Sequence, residues 1–290
     1  VYVQVFESTR GLKVGAEAEF TGHMLEVTLG PGMLSKNYDG LQNDLDKMTG
    51  VFLKRGQYTY PLDKEKKWHF KPIAKVGDEV SASAWLGEVD ENHQPLKIMV
   101  PFQLTGTLRI KSIAAEGDYT IEDTIAVLTN KDGEDVKVNM IQKWPVKKAM
   151  TNYAEKPRPY KLLETGVRVI DTMNPIVEGG TGFIPGPFGT GKTVLQHAIS
   201  KQAEADIVII AACGERANEV VEIFTEFPEL VDPHTGRKLM ERTIIVANTS
   251  NMPVAAREAS VYTAMTMAEF YRSMGLKVLL MADSTSRWAQ

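Results

Sequence analysis

Cysteine is almost absent from this sequence, in which Cys213 is the one cysteine among 290 residues. A single cysteine cannot form an internal disulfide, and the paired cysteine and histidine spacings of zinc sites are missing. We therefore expect a reducing, cytosolic compartment and no metal held by side chains alone. The histidines are scattered along the chain, which favours solvated or structural roles for all of them: His23, His69, His93, His197 and His234.

Long hydrophobic runs are missing as well. Apolar segments such as 208–213 and 278–282 are far shorter than the roughly 20 residues that a transmembrane helix needs. No charged segment followed by an apolar one opens the chain, so neither a membrane span nor a secretory signal is predicted. The chain starts without Met and stops just beyond a strand-like segment, and we expect a fragment that lacks the N-terminal start and the C-terminal half.

Positive charge is not in excess. Lys plus Arg number 33 against 37 Asp plus Glu, which gives a net charge of −4. No broad positive field is available to neutralise a phosphate backbone, so nucleic acid is not expected as a partner. Hydrophobic residues at 43% and charged residues at 24% are typical of a globular chain with a sizeable core.

Glycine and proline divide the chain into three predicted domains. Residues 1–58 contain short strand-like segments with Gly and Pro between them and lead into a linker. Residues 59–146 show period-two segments separated by turns, which indicates an all-β region. Residues 147–290 begin with a stretch in which Pro157 and Pro159 disfavour regular structure, and then alternate strands with helices.

The all-β region contains an internal repeat. The Gly-Asp turn at 77–78 recurs forty positions later at 117–118, and an apolar alternation follows each turn. Two similar hairpins packed as a small β-sandwich are predicted, because each hairpin must bury one face. The spacing resembles the lipoyl/biotinyl carrier fold, in which a lysine at a hairpin tip carries the cofactor, and Lys97 is the only candidate. We favour the alternative, a module for packing or partner contact, because the flanking turn is degraded.

The third region predicts a parallel sheet with helices on its faces, since strands and helices alternate. Apolar runs predict strands at 181–185, 207–212, 243–247 and 277–282. Helical periodicity and a proline suited to the first turn predict helices at 192–203, 219–227 and 253–274.

Residues 186–193 satisfy the P-loop pattern GxxxxGK[ST]. Glycines in this pattern let backbone N–H groups surround phosphate oxygens, Lys192 supplies charge to the β and γ phosphates, and Thr193 offers a hydroxyl to Mg²⁺. A glycine-rich turn with an exposed lysine is the alternative. The predicted nucleotide contacts are Gly186, Pro187, Phe188, Gly189, Thr190, Gly191, Lys192, Thr193 and Val194.

Hydrolysis also needs a carboxylate for Mg²⁺ or its waters and a group that orients the attacking water. Asp283 ends an apolar strand, where a parallel sheet delivers side chains to its ligand-binding edge, and a helix cap is its alternative role. Glu215 emerges at the same edge, where it can polarise a water or simply start a helix. Further polar candidates are Arg216, Glu219 and Arg257, while Cys213 is predicted to be a small buried residue.

Seven short motifs occur in order along the chain: GPGML at 30–34, YDG at 38–40, MIQKWP at 140–145, IPGPFGTGKT at 184–193, GER at 214–216, TSNMP at 249–253 and ADSTSRW at 282–288. With these motifs the whole chain resembles the catalytic A subunit of the vacuolar and archaeal-type rotary ATPases, which some bacteria also carry. The resemblance implies an α/β P-loop NTPase with a RecA/F-type-like parallel sheet, preceded by a β-barrel remnant and a barrel-sandwich-like insert.

The resemblance also implies the roles of the site residues. Glu215 orients water, Arg216 lies at the γ phosphate, Lys192 binds phosphate, and Thr193 and Asp283 hold Mg²⁺, the latter directly or through water. Two departures from the family pattern stand out. Thr190 replaces a cysteine of the eukaryotic relatives, so redox control at that position should be missing, and Ala217 replaces the glycine that commonly follows GER.

The implied cofactors are ATP, ADP and Mg²⁺, and the implied partners are B subunits in an alternating ring of three A and three B subunits. Central and peripheral stalk subunits would connect this ring to a membrane sector at the cytoplasmic face and couple ATP hydrolysis or synthesis to H⁺ or Na⁺ transport. B subunits would supply an arginine finger. Two alternatives remain at this point: an ATP-driven hexameric helicase or termination factor, and a folded interaction module without activity.

Overall fold

The structure is a computed structural model that describes residues 5–6, 9–48, 58–151, 153, 155, 157–187 and 189–289. Part of the predicted first domain, residues 1–58, lies outside the described residues. No helix in the described part of the chain combines the length and the apolarity needed to cross a membrane.

The strands within this part of the chain are, in order, Glu26–Leu29 (β1), Lys36–Tyr38 (β2), Lys67–Pro72 (β3), Glu79–Val80 (β4), Trp85–Glu91 (β5), Gln94–Met99 (β6), Leu108–Ile113 (β7), Gly117–Thr120 (β8), Ala126–Thr129 (β9), Asp135–Val138 (β10), Gln142–Pro145 (β11), Leu162–Leu163 (β12), Ile176–Val177 (β13), Ile207–Glu215 (β14), Thr243–Thr249 (β15) and Val278–Asp283 (β16). The α-helices are Arg168–Met173 (α1), Lys192–Gln202 (α2), Ala217–Glu226 (α3), Val254–Ser273 (α4) and Thr285–Trp288 (α5). Short 3₁₀ turns lie at Leu45–Lys47, Phe227–Glu229 and Leu239–Arg242.

A four-stranded sheet of order β16-β14-β15-β2 organises the C-terminal part of the chain, and all of its neighbouring strands run parallel. Its central strand β14 is buried at every position, as expected for an apolar strand covered on both faces. Alternate residues of β14 and β15 pack against α4 on one face and against α3 on the other. The predicted parallel sheet with flanking helices is confirmed.

Two predicted features of this region differ from the structure. Residues 181–187 adopt no regular secondary structure, so the strand predicted at 181–185 is wrong. A strand needs a hydrogen-bonding neighbour, and this segment pairs with no described strand. Conversely, β2 joins the parallel sheet beside β15, although it lies within residues 1–58, which we predicted to form a separate domain of short strands and a linker. Three residues of sequence Lys-Asn-Tyr are too short and too polar to show strand periodicity.

Strands β3 to β10, here called the β module, form two four-stranded antiparallel sheets. One sheet has the order β6-β5-β3-β8 and the other the order β10-β9-β7-β4. Each therefore contains three strands of one sequence repeat and one strand of the other, because β4 pairs with β7 while β8 pairs with β3. The predicted repeat and sandwich are confirmed, but the two halves exchange a strand instead of packing as separate hairpins.

Lys97 does not lie at a hairpin tip, the position that a cofactor-carrying lysine would need. The tip of the β5–β6 hairpin is formed by Asn92 and His93, whose φ angles of 51° and 67° suit a tight two-residue turn. Lys97 lies instead within β6, and its ammonium group donates to the carboxylate of Glu88 on β5. A paired lysine in the middle of a strand is not presented to a partner enzyme.

One hydrophobic core extends from the β module into the parallel sheet. Trp68 and Phe70 of β3 belong to the same buried cluster as Ile209 of β14, Val246 of β15 and Tyr271 of α4. The β1–β11 pair lies where the chain leaves and re-enters this core, because Glu26 to Leu29 pair with Gln142 to Pro145. The β module is thus packed on the sheet through apolar side chains.

Gly87→Ala is expected to lower the free energy of unfolding by about 1–3 kcal/mol, since overpacking a filled site forces its neighbours apart. A Cβ at position 87 would lie 2.3 Å from the Phe70 ring and 2.6 Å from the carbonyl oxygen of Lys71. Gly117→Ala is the control, because its Cβ would meet the Tyr119 ring at an ordinary 3.5 Å. Denaturant unfolding compares the two variants, and equal midpoints at equal slope would contradict the expectation.

Candidate functional site

The glycine-rich loop precedes α2 at the carboxyl edge of the parallel sheet. Gly191 caps the helix with φ 80°, in the left-handed region that glycine adopts without strain. Gly186 has no room for a side chain, because a Cβ there would lie 2.6 Å from Oγ1 of Thr190. The Thr190 hydroxyl in turn donates to the carbonyl oxygen of Pro187 at 2.8 Å, which closes the loop on itself. Phe188, the remaining predicted contact of this loop, lies outside the described residues.

Lys192 folds back over the loop at the first position of α2. Its ammonium group donates to the carbonyl oxygens of Gly186 and Pro187, each at 2.8 Å. The positive charge therefore lies inside the turn that the glycines form. Val194, two positions further along α2, is exposed.

Thr193 and Asp283 are brought together from distant parts of the sequence. The Thr193 hydroxyl donates to Oδ2 of Asp283 at 2.8 Å, and the second carboxylate oxygen accepts from the backbone N–H of Ser284, also at 2.8 Å. Ser284, not Asp283, is the residue that precedes the first turn of α5. One oxygen of Asp283 thus faces the start of α2, where the hydroxyl and carboxylate form one cluster of oxygen ligands.

Glu215 is the last residue of β14 and is buried, with 5% of its surface exposed. A bulge between Cys213 and Glu215, in which Gly214 adopts φ 95°, turns the strand at this point. The carbonyl oxygen of Glu215 accepts from the backbone N–H of Ser250 at 2.8 Å. Because Ala212 is the register partner of Asp283, Glu215 lies three positions beyond it at the same edge of the sheet.

Arg216, Glu219 and Arg257 follow the same edge. Arg216 is the residue before α3 and its carbonyl oxygen accepts from the N–H of Val220, while Glu219 lies in the first turn of that helix. Arg257 lies in the first turn of α4, which follows β15. The structure therefore gathers the predicted polar residues around the carboxyl ends of β14, β15 and β16.

The sequence did not indicate that His197, which we interpreted as one of the scattered solvated or structural histidines, lies close to the site. It lies one helical turn after Thr193 on α2, and its ring contacts Phe227 edge-on with a centroid distance of 5.9 Å. Burial lowers the pKa of His197, while the carboxylates of Glu222, Glu226 and Asp283 act in the opposite direction. The spacing of four residues from Thr193 was the signal that could have placed it behind the site.

Cys213 lies on β14, two residues before Glu215 and one residue after the register partner of Asp283. It is fully buried, and burial raises the pKa of its thiol to about 11, with a further increase from the charges of Asp283 and Glu215. The prediction of a small buried residue is confirmed. The electrostatic effect of both carboxylates on one thiol also indicates that Asp283 and Glu215 lie in the same neighbourhood.

Comparison with known proteins gives the family. A family model described as "ATP synthase alpha/beta family, nucleotide-binding domain" matches residues 166–290, and one described as "ATPsynthase alpha/beta subunit barrel-sandwich domain" matches residues 59–147. The second match coincides with the two exchanged sheets of the β module, and the first contains the loop, the parallel sheet and its helices. The chain belongs to the ATP synthase alpha/beta family.

Individual relatives agree with this assignment along the whole chain. A V-type ATP synthase alpha chain of Treponema denticola is 59% identical over 99% of this chain and 49% of its own length. A V-type ATP synthase alpha chain of Borrelia hermsii is 57% identical over 100% of this chain and 51% of its own length. The chain therefore spans about half the length of the curated relatives it matches.

Alkylation of Cys213 is expected to be slow in the folded chain. A thiol with a pKa near 11 is ionised about 200-fold less at pH 8 than an ordinary thiol with a pKa of about 8.5, and burial slows the reaction further. Incorporation of iodoacetamide, followed by mass spectrometry with and without guanidinium, measures this difference. Cys213→Ser is the control for labelling at other residues, and rapid labelling without denaturant would contradict the burial of the thiol.

Proposed function

We propose that this chain contains the nucleotide site of the catalytic A subunit (alpha chain) of a V/A-type rotary ATPase, and that the site binds and hydrolyses ATP. The observation that carries the proposal is the hydrogen bond between Thr193 and Asp283. It joins the first turn of the helix after a P-loop to a carboxylate at the end of a parallel strand, which is the arrangement that nucleotide hydrolysis on such a sheet requires.

We assign the C-terminal part of the chain to the P-loop NTPase fold of RecA/F-type-like architecture. The parallel order β16-β14-β15-β2, helices on both faces and a glycine-rich loop at the carboxyl edge support this assignment. The proposed domains are 1–58, 59–146 and 147–290, with β2 contributed to the sheet of the third domain by the first.

Phosphate binding follows from the chemistry of the loop. Gly186, Gly189 and Gly191 leave the backbone open to an anion, and the N-terminal end of α2 adds its positive dipole. Lys192 exchanges two neutral carbonyl acceptors for phosphate oxygens, which are stronger partners for an ammonium group. We propose that residues 186–194 contact the nucleotide.

Mg²⁺ fits the oxygen ligands at Thr193 and Asp283. One hydroxyl and one carboxylate, already 2.8 Å apart, are the hard donors that Mg²⁺ takes from proteins beside nucleotide phosphates and water. When bound, the ion neutralises charge on the phosphate oxygens. Asp283 would hold the ion directly or through a water, and the backbone N–H of Ser284 donates to the second oxygen of its carboxylate.

Glu215 is assigned to the attacking water, which it orients and from which it accepts a proton. The strand bulge and the hydrogen bond to the backbone of Ser250 fix its position at the edge. Arg216, the next residue, is assigned to the γ phosphate. Glu215 and Arg216 both follow the carboxyl end of β14, so both roles are compatible with the strand order of the sheet.

The whole subunit acts in an assembly. We propose an alternating ring with B subunits that supply an arginine finger, with central and peripheral stalk subunits that couple ATP hydrolysis or synthesis to H⁺ or Na⁺ transport. The subunit then lies at the cytoplasmic face of the membrane, peripheral to the membrane sector. An arginine finger is worth about 10³–10⁵ in rate, so this chain by itself is expected to turn over ATP slowly or not at all.

Lys192→Ala is expected to weaken ATP and ADP binding at least 10-fold, because the ammonium group is the main positive charge of the loop. Lys201→Ala in the last turn of α2 is the matched control and should bind like the unmodified chain. Titration with a fluorescent nucleotide measures both. Equal affinities for the two variants would contradict the phosphate-binding role of Lys192.

Glu215→Gln in the complete assembly is expected to keep nucleotide affinity within a few-fold and to lower ATP hydrolysis by about 10²–10⁴, the usual contribution of a general base. Glu222→Gln, an exposed carboxylate on α3, is the control and should keep its activity. Steady-state hydrolysis and nucleotide binding are measured on the same preparations. Unchanged turnover in Glu215→Gln would refute the role assigned to Glu215.

A further inference from the structure

The tip of the β5–β6 hairpin contacts the parallel sheet at the edge opposite the glycine-rich loop. The side-chain amide of Asn92 donates to the hydroxyl of Ser35 at 3.0 Å and to the carbonyl oxygen of Glu241 at 2.9 Å. Glu241 belongs to the 3₁₀ turn that leads directly into β15, and the backbone N–H of Ser35 donates to the carbonyl of Thr243, the first residue of that strand. The tip thus holds the amino-terminal end of β15.

Glu91, beside Asn92, is buried with only 2% of its surface exposed. Its Oε1 accepts from the backbone N–H of Leu34 at 3.1 Å. Its Oε2 finds no hydrogen-bond partner within the described residues, and the same is true of the Tyr271 hydroxyl on α4 and of the Trp68 indole N–H. The junction therefore buries an acid whose second oxygen is unsatisfied.

Titratable groups of β2, of α4 and of the segment before β3 interact with Glu91. The charge of Glu91 acts on Tyr38 of β2 and on Tyr271 of α4. Lys66, just before β3, is the basic group whose charge lowers the pKa of Glu91. Burial raises the pKa of Glu91 from 4.5 to about 7, although the N–H groups of Gly32 and Leu34 and the charge of Lys66 oppose the increase. Burial of the neutral acid avoids the cost of desolvating a carboxylate.

The base of the same hairpin makes a second contact with this edge. The indole N–H of Trp85 donates to the carbonyl oxygen of Ser273 at 3.4 Å, and its ring lies against Gly275. Ser273 is the last residue of α4, and Gly275 lies between α4 and the start of β16. The hairpin therefore spans the unit β15-α4-β16, with its tip at the start of β15 and its base at the start of β16.

We propose that Glu91 and Asn92 form a protonation-sensitive latch that fixes the β module to the amino-terminal edge of the parallel sheet. The latch is tight when Glu91 is neutral and loosens when it is ionised, while Asn92 contributes hydrogen bonds that do not titrate. This device is separate from nucleotide chemistry, since the glycine-rich loop and the carboxylates of the proposed nucleotide site lie at the opposite edge.

The sign of the pH effect follows from the raised pKa of Glu91. The folded junction retains its proton up to a pH of about 7, whereas the opened junction loses it above 4.5. The added stability is fully present below 4.5, declines as the pH rises, and is lost above about 7. Between pH 5.5 and pH 8 the opening equilibrium is expected to change roughly 30-fold.

Hydrogen exchange of the full chain tests this proposal at pH 5.5 and pH 8, after correction for intrinsic exchange rates. Peptides that contain Leu34 and Ser35 report opening of the junction, because their backbone N–H groups donate to the Glu91 carboxylate and to the carbonyl oxygen of Thr243. Protection in the unmodified chain is expected to be roughly 30-fold higher at pH 5.5. Equal protection at the two pH values would overturn the proposal.

Glu91→Gln separates the latch from general effects of pH. The amide keeps the shape of the neutral acid and cannot ionise, so protection at pH 8 should rise at least 10-fold and lose its pH dependence. Glu88→Gln on the same strand, where the carboxylate is only partly buried, is the control and should behave as the unmodified chain does. A pH dependence that survives in Glu91→Gln would exclude Glu91 as the titrating group.

Asn92→Gly tests the second half of the latch without altering the turn, because glycine tolerates the φ of 51° at this position. Loss of two hydrogen bonds is expected to lower protection at least 10-fold at both pH values, with the pH dependence retained. His93→Gly at the adjacent turn position, with φ 67°, is the matched control. Equal protection in the two glycine variants would exclude the contacts of Asn92 from the latch.

Discussion

Three strands that run in the same direction, β16, β14 and β15, determine where the chemistry of this chain lies. Because they are parallel, their carboxyl ends meet at one edge of the sheet, and the side chains that end them emerge together. β16 thus places Asp283 against Thr193 of α2, while β14 places Glu215 three positions past the register partner of Asp283. A strand of opposite direction would send one carboxylate to the far edge, so the parallel register is the condition for the site.

The β module leaves this arrangement undisturbed because the chain departs and returns at neighbouring points. β1 pairs with β11, on either side of the module in sequence, and β2 between them joins the parallel sheet. An insertion closed by such a pair imposes no strain on the strand order of the sheet. Its attachment through a shared apolar core, and not only through a covalent linker, explains why Trp68 and Ile209 belong to one buried cluster.

The sequence predicted most of the nucleotide domain because its signals are local. Apolar runs defined β14, β15 and β16, and helical periodicity defined α4, while the loop and its lysine form a contiguous motif. Features that depend on distant partners were not visible. β2 is a strand because it pairs with β15, about two hundred residues away. The exchange of β4 and β8 depends on how the two repeats pack together. Nothing in the sequence around Glu91 indicates that this residue is buried. For Thr193 and Asp283, the sequence predicted only that both residues lie at the same edge of the sheet, not that their side chains are hydrogen-bonded.

Burial of Glu91 is informative because an apolar residue would pack the same junction at lower cost. The surrounding cluster otherwise consists of aliphatic and aromatic side chains. An ionised carboxylate with an unsatisfied oxygen costs free energy when it is buried among them, and this cost weakens the packing of the junction. The same residue nevertheless binds the backbone of Leu34, next to the serine that anchors β15. A junction of this kind has a stability that protons can change, whereas a purely apolar one would not respond. The β module is thus joined to the sheet by a contact whose strength changes between about pH 4.5 and pH 7, at the edge farthest from the carboxylates.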